Sequence, residues 1–156
     1  MANWFECKVR YEKTMENGVV KKVPEPYLVD ALSFTEAEAR IIEEMTPFIT
    51  GEFTVENIKR ANYSEVFFTE EEAADRWFKS KLYFITLDEK TGQEKKSATN
   101  ILIQAADLRD ALKKLDEGMK GTMADYAIAS LTETPLMDVY RFKAKDEKPE
   151  FPEAGK

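Results

Sequence analysis

Trp4-Phe5-Glu6-Cys7-Lys8-Val9 is echoed 73 positions later by Trp77-Phe78-Lys79-Ser80-Lys81-Leu82. These stretches hold the only two tryptophans of the chain. Outward from them the correspondence continues through Gly18/Gly92, Lys21/Lys95, Lys22/Lys96, Leu28/Leu102, Ala31/Ala105, Ala37/Ala111, Ile41/Leu115 and Met45/Met119. It then runs through Phe53/Tyr126, Ile58/Leu131 and Val66/Val139. The offset changes by one residue only in loops, where length changes are tolerated. Rare tryptophans, turn glycines and helix positions stay in register, and the sequence therefore reads as a tandem duplication.

Each copy carries the same succession of signals. Phe5, Cys7, Val9 and Tyr11 alternate with Trp4, Glu6, Lys8 and Arg10, which is the period of a half-buried strand. Phe78, Ser80, Leu82 and Phe84 alternate with Trp77, Lys79, Lys81 and Tyr83 in the same way. Asn17-Gly18 marks a hairpin turn in which both residues can take positive φ, and Thr91-Gly92 is its weaker counterpart. The return strands end in Tyr27-Leu28-Val29 and Ile101-Leu102-Ile103. Pro24 and Pro26 cannot donate to a ladder, so the start of the first return strand reads as an edge or a bulge. Ser33-Phe34-Thr35-Glu36 is a capping box, and Ala37, Ile41, Ile42, Met45 and Phe48 form the apolar stripe of a helix. Asp107 caps the second helix, whose stripe is Leu108, Ala111, Leu112, Leu115 and Met119. Two further strands follow each helix, near 52–60 and 63–68, then 125–133 and 136–142.

The expected fold is α+β: a β-β-α-β-β unit written twice, with antiparallel sheets, helices on one face and a pseudo-twofold axis. The expected divisions are a first repeat over 1–68, a short linking helix over 69–76, a second repeat over 77–142 and a mobile charged tail over 143–156. The linking helix rests on Thr69-Glu70-Glu71-Glu72, read as a second capping box. In this reading each half folds its one helix onto its own four strands.

The chain has 156 residues and a net charge of −7, with no histidine and a single cysteine. Residues 1–76 hold nine Lys+Arg and sixteen Asp+Glu, whereas 77–156 hold fourteen of each. The acidic balance argues against a broad phosphate-binding surface. Without histidine there is no Ser-His-Asp or Cys-His site and no Cys/His zinc site. No metal or cofactor motif is present, and no glycine-rich phosphate loop. A lone Cys7 cannot form an internal disulfide and fits a reducing compartment. No apolar run approaches the ~20 residues of a membrane span, and the N-terminus lacks the form of a signal peptide. Together these point to the cytoplasm.

The opening Asn3-Trp4-Phe5-Glu6-Cys7-Lys8-Val9-Arg10-Tyr11, the stretch Tyr27-Leu28-Val29-Asp30-Ala31 and the helix start Phe34-Thr35-Glu36-Ala37-Glu38-Ala39 resemble the domain of unknown function 4494 family. That uncharacterised family occurs in anaerobic Gram-negative bacteria and some of their viruses. The resemblance covers most of the chain and implies a cytoplasmic bacterial setting. It implies no activity, cofactor or catalytic residue.

Trp4 with Lys8, and Trp77 with Lys81, are candidate stacking platforms on the outer strand face. The competing reading buries each tryptophan under a helix or in the seam between copies. Arg10, Lys59 and Arg60 could gather into a basic patch for one phosphate or carboxylate. Cys7 reads as an inert core thiol, and the dense carboxylates of 36–44 and 70–72 as solvated faces. The function these features suggest is a non-enzymatic binding or regulatory protein that recognises a partner or small ligand at the inter-repeat seam. One alternative is a single-strand or nucleotide-binding module using sheet aromatics, which requires exposed tryptophans on a basic face. The other is a small histidine-independent enzyme using carboxylates with Lys or Tyr. Exposed strand edges suggest a homodimer.

Overall fold

The computed structural model describes residues 3–141. Its elements are β1 (Trp4–Thr14), β2 (Val20–Asp30), α1 (Phe34–Met45), β3 (Phe53–Ala61), β4 (Glu65–Phe67), β5 (Arg76–Leu87), β6 (Glu94–Ala105), α2 (Leu108–Gly118), β7 (Asp125–Glu133) and β8 (Asp138–Tyr140). They form two four-stranded sheets, ordered β3-β1-β2-β8 and β4-β6-β5-β7. The long pairs are antiparallel, and the class is α+β.

The alternation in β1 and β5 places one residue set against a helix. Phe5, Cys7, Val9 and Val29 join Ala37, Ile41 and Met45 of α1 in one core. Phe78, Leu82, Ile101 and Ile103 join Ala111, Leu115 and Met119 beside α2 in another. Both helices begin where a side chain accepts orphan amides. The Ser33 hydroxyl accepts from the Glu36 amide at 3.2 Å, and the Glu36 carboxylate accepts from the Leu32 amide at 3.3 Å. Asp107 and Asp110 repeat the arrangement on the amides of Asp110 and Ala106. Both hairpins turn on a glycine in the left-handed region, Gly18 at φ 82° and Gly92 at φ 72°. Asn17 stays out of that region, so the first hairpin is not a two-residue type I′ turn. The Met15 amide donates to the Val19 carbonyl instead, closing a longer loop.

The placement of the short strands corrects the four-own-strands expectation. β4 pairs in parallel with β6, in the sheet of the second half. β8 pairs in parallel with β2, in the sheet of the first half. Each sheet therefore has three strands of one half and one of the other. The slot beside β2 in its own sheet lies past β1 and β2, about 14 Å from β3. The three-residue link 62–64 reaches the facing sheet, about 10 Å away, without a reversal. Along Val20–Pro26 the outer side of β2 lies beyond β8, so Pro24 and Pro26 sit where no ladder donor is needed.

The expected helix over 70–76 is also corrected. The segment is irregular up to Arg76, with a turn at 72–73. Gln104 holds it, accepting from the Thr69 amide at 3.1 Å and donating to the Ala74 carbonyl at 3.0 Å. Ala74 is buried. Two side-chain bonds to backbone and a buried anchor outweigh one turn of helix, which is costly to nucleate. The tail 143–156 lies outside the described residues.

The crossing strand β4 packs onto α2 so tightly that a side chain is excluded. A Cβ built on Gly118 would stand 2.5 Å from the Phe67 ring. Alanine favours a helix over glycine by about 1 kcal/mol, whereas overpacking costs about 1–3 kcal/mol. Gly118→Ala is therefore expected to destabilise the protein by up to about 2 kcal/mol. Urea unfolding measures it, and a stabilised variant would contradict this packing.

Candidate functional site

The faces of the two sheets turned away from the helices meet around Trp4, Leu28, Trp77, Leu102, Leu136 and Val139. Trp4 is 6% exposed and Trp77 3%. The Phe68 ring stands edge-on to Trp77 at 5.6 Å. The backbone and hydroxyl of Thr134 both donate to the Trp77 carbonyl, at 2.8 and 2.9 Å. Both stacking platforms are thereby corrected. The tryptophans fill the seam, because a flat, largely apolar ring gains more by covering a second sheet than by facing water. Sheet-aromatic nucleic-acid binding loses the exposed tryptophans it requires. Lys8 is exposed on the Trp4 face, and Lys81 lies over the Tyr83 ring at 5.4 Å rather than over Trp77.

The basic patch is divided in the same way. The Arg10 guanidinium donates twice to Glu56, at 2.9 and 3.2 Å. Lys59 stands 3.7 Å from Glu6. Arg60 lies on the opposite face, over Phe5 at 5.2 Å and Phe34 at 5.8 Å. Adjacent strand residues point to opposite faces, so the Lys59 and Arg60 side chains diverge, although both residues border one groove at the seam.

A polar groove opens where the seam reaches the surface. It encloses about 240 Å³. One wall is Glu6 and Lys59 of the first sheet, the other Lys79 and Asn100 of the second, and Asn62 and Tyr63 of the crossing link form the floor. The Asn100 amide donates to the Asn62 carbonyl at 3.3 Å, and the Ser64 amide and hydroxyl donate to the Asn100 carbonyl. The link between the sheets is thus fixed by the groove's own residues. Burial, with Glu6 beside it, pushes the Tyr63 phenol up to about 12, so it stays a neutral donor. Lys79 is exposed and makes no ion pair among the described residues.

A family model described as Domain of unknown function (DUF4494) matches residues 3–142. The chain belongs to this family. No curated protein and no solved structure matches it. The match spans both sheets and the seam between them.

Beside the seam groove, this family member holds a second polar constellation on the α1 side of the first sheet. Glu25 is buried there and accepts from Tyr11 at 2.7 Å and from Tyr27 at 3.3 Å, with Lys13 3.6 Å away. Tyr27 stacks on Tyr140 with ring centres 6.2 Å apart. Burial, then the bond to Glu25, pushes Tyr11 up to about 12; Tyr27 and Tyr140 are pushed up further, first by burial. Tyr11 and Tyr27 are donors here, and they occupy the Glu25 carboxylate. The positions matching Tyr11, Glu25 and Tyr27 are Phe84, Thr99 and Ile101. That contrast between halves was the available signal for the network, since a glutamate amid core positions must find partners. Cys7 is wholly buried, and its thiol is pushed up to about 12, mainly by burial, which leaves it inert. Among the described residues no cluster of metal-ligating side chains occurs, and no helix is long and apolar enough to cross a membrane.

Proposed function

We propose that this chain is a non-enzymatic, cytoplasmic binding protein of a bacterial system, and that it recognises a small anionic ligand in the groove at the seam of its two sheets. One observation carries this reading: Lys59 and Lys79, from different sheets, face one hollow with Asn62, Asn100 and Tyr63 as neutral donors. Glu6 offsets one of the two charges, which leaves a single net cation. That set suits an anion with several acceptor oxygens, a carboxylate or phosphate.

The reading includes a tandem duplication with a pseudo-twofold axis, which generates the seam. Matched contacts support it. The Ser64 amide donates to the Asn100 carbonyl at 2.9 Å, and Met137 to Pro26 at 2.8 Å. Register shifts fall between Lys8 and Val9 and between Lys81 and Leu82. Glu65 pairs with Ile101, as Asp138 pairs with Tyr27. The two-sided seam gave divergence a place to act: one mouth has Lys59 where the other has Thr132. A homodimer belongs to the same reading.

The test is thermal unfolding at low salt with inorganic phosphate, citrate and nucleoside monophosphates. A ligand at one hundred times its dissociation constant stabilises the folded state by about 2.7 kcal/mol. At least one probe is expected to raise the melting temperature, and Lys79→Ala with Lys59→Ala to abolish the shift. If no probe acts at millimolar concentration, or if the double variant retains the full shift, the groove is not the site.

A further inference from the structure

Beyond the seam the two sheets present unequal outer faces. On the first, Arg10 is closed onto Glu56 at 2.9 Å, Lys59 stands beside Glu6, and Pro24 and Pro26 line β2. On the second, Lys79, Lys81, Tyr83 and Ile85 continue the Trp77 face along β5. Beside them lie Asn100, Ala98 and Lys96 on β6, and Thr132, Ser130 and Ala127 on β7. Lys79 and Lys81 form no ion pair among the described residues. From Lys79 to Tyr83 this face carries no carboxylate. Asp125, beside Ile85, and Glu94, next after Lys96, bound it at the hairpin end. Ala98, Ala127 and Ser130 are small and exposed, and among the described residues no other ring packs on the half-buried Tyr83.

We propose that this face binds single-stranded nucleic acid, one base stacking on Tyr83 while successive phosphates lie on Lys81 and, at the mouth of the seam groove, on Lys79. The occupant follows from a ring set in line with unpaired cations. Lys79 and Lys81 are two residues apart, about 6.7 Å along the strand, so each can hold a different phosphate of one chain. An acidic peptide would satisfy the lysines and leave Tyr83 unused. The buried tryptophans cannot stack on a base, and Tyr83 offers an open ring in their place. In the free protein the Lys81 ammonium rests over that ring at 5.4 Å. A phosphate gives the ammonium an anionic partner and frees the ring for a base, whose stacking is worth more than an exposed cation over a ring. Lys79 also belongs to the proposed groove site, but Lys81 and Tyr83 do not line the groove, so the two proposals fail separately.

The test is fluorescence anisotropy of a labelled oligothymidylate of about ten nucleotides with the full chain at low salt. Binding is expected, with log affinity falling against log salt by about 0.7 for each phosphate held. Tyr83→Leu is expected to weaken binding roughly tenfold with the salt slope unchanged, and Lys81→Ala to lower the slope by about 0.7. Lys21→Ala with Lys22→Ala, on the first hairpin, removes two charges elsewhere and should leave binding intact. Circular dichroism verifies the fold of each variant. No binding at low salt, an affinity that withstands both Tyr83→Leu and Lys81→Ala, or equal displacement by polyglutamate overturns the nucleic-acid site. Stabilisation by phosphate through Lys59 and Lys79 decides the groove on its own.

Discussion

Trp77→Ala is expected to lower the stability of the folded chain by about 3–5 kcal/mol, the range for deleting a buried large aromatic. Trp77 is 3% exposed, and its neighbours come from both sheets: Trp4 and Leu28 on one side, Leu102 on the other. Its removal opens a cavity that neither sheet can close alone, because each is already held to its own helix. The Phe68 ring loses its edge-on contact as well. Phe84→Ala removes a partly buried ring at the edge of the α2 core, and a smaller loss is expected there. The crossing of β4 and β8 makes the seam effect global. A sheet that comes away from the seam must release a strand belonging to the other half, so both sheets should unfold in one transition. Urea unfolding followed by circular dichroism and by Trp4 fluorescence is expected to give coincident curves shifted to lower urea. A loss below about 1 kcal/mol, or two separated transitions, would show that the seam is not a core.

Some of this architecture was open to reading and some was hidden, for reasons that differ by element. The alternation of β1 and β5 and the caps Ser33 and Asp107 are local features, decided by pattern and by hydrogen bonds within a few residues. The adjacent pairs Trp4-Phe5 and Trp77-Phe78 defied the rule that a strand has one wet face, because a second sheet covers only that end. The sequence offered two bulky neighbours and left open whether water, a helix or the seam would meet the tryptophans. Glu65–Phe67 and Asp138–Tyr140 are too short for their own pattern to specify a sheet. Gln104 explains the missing linking helix, and its contact spans 30 residues to Ala74. The separation of Lys59 from Arg60, by contrast, was available from strand parity alone. For the groove, the seam as a place and Lys59 as a candidate were legible, but not the residues that would stand opposite. Glu6 and Lys79 each stood on a known face, and only the meeting of those faces makes them neighbours.

Alkaline unfolding is expected to be early and steep, and the phenols supply the reason. Tyr11 and Tyr63 are held near 12, and Tyr27 and Tyr140 are raised further, chiefly by burial, against an ordinary value of about 10. A raised value means the folded chain keeps protons that the unfolded chain releases. The unfolded state then binds fewer protons, so stability falls as pH climbs past about 10 and keeps falling to about 12. Below the unfolded value all four phenols are neutral in both states, and their contribution is complete. The melting temperature should hold steady approaching that value and then drop, with tyrosinate absorbance rising together with loss of structure. Tyr27→Phe sharpens the test. It removes one phenol of the four and one donor to Glu25 at 3.3 Å, at a cost of about 1 kcal/mol near neutrality. Its alkaline decline should nevertheless be shallower than that of the wild type. If tyrosinate forms fully while the fold persists, or if the variant declines as steeply, the cluster on the α1 side is not closed to solvent as its geometry requires.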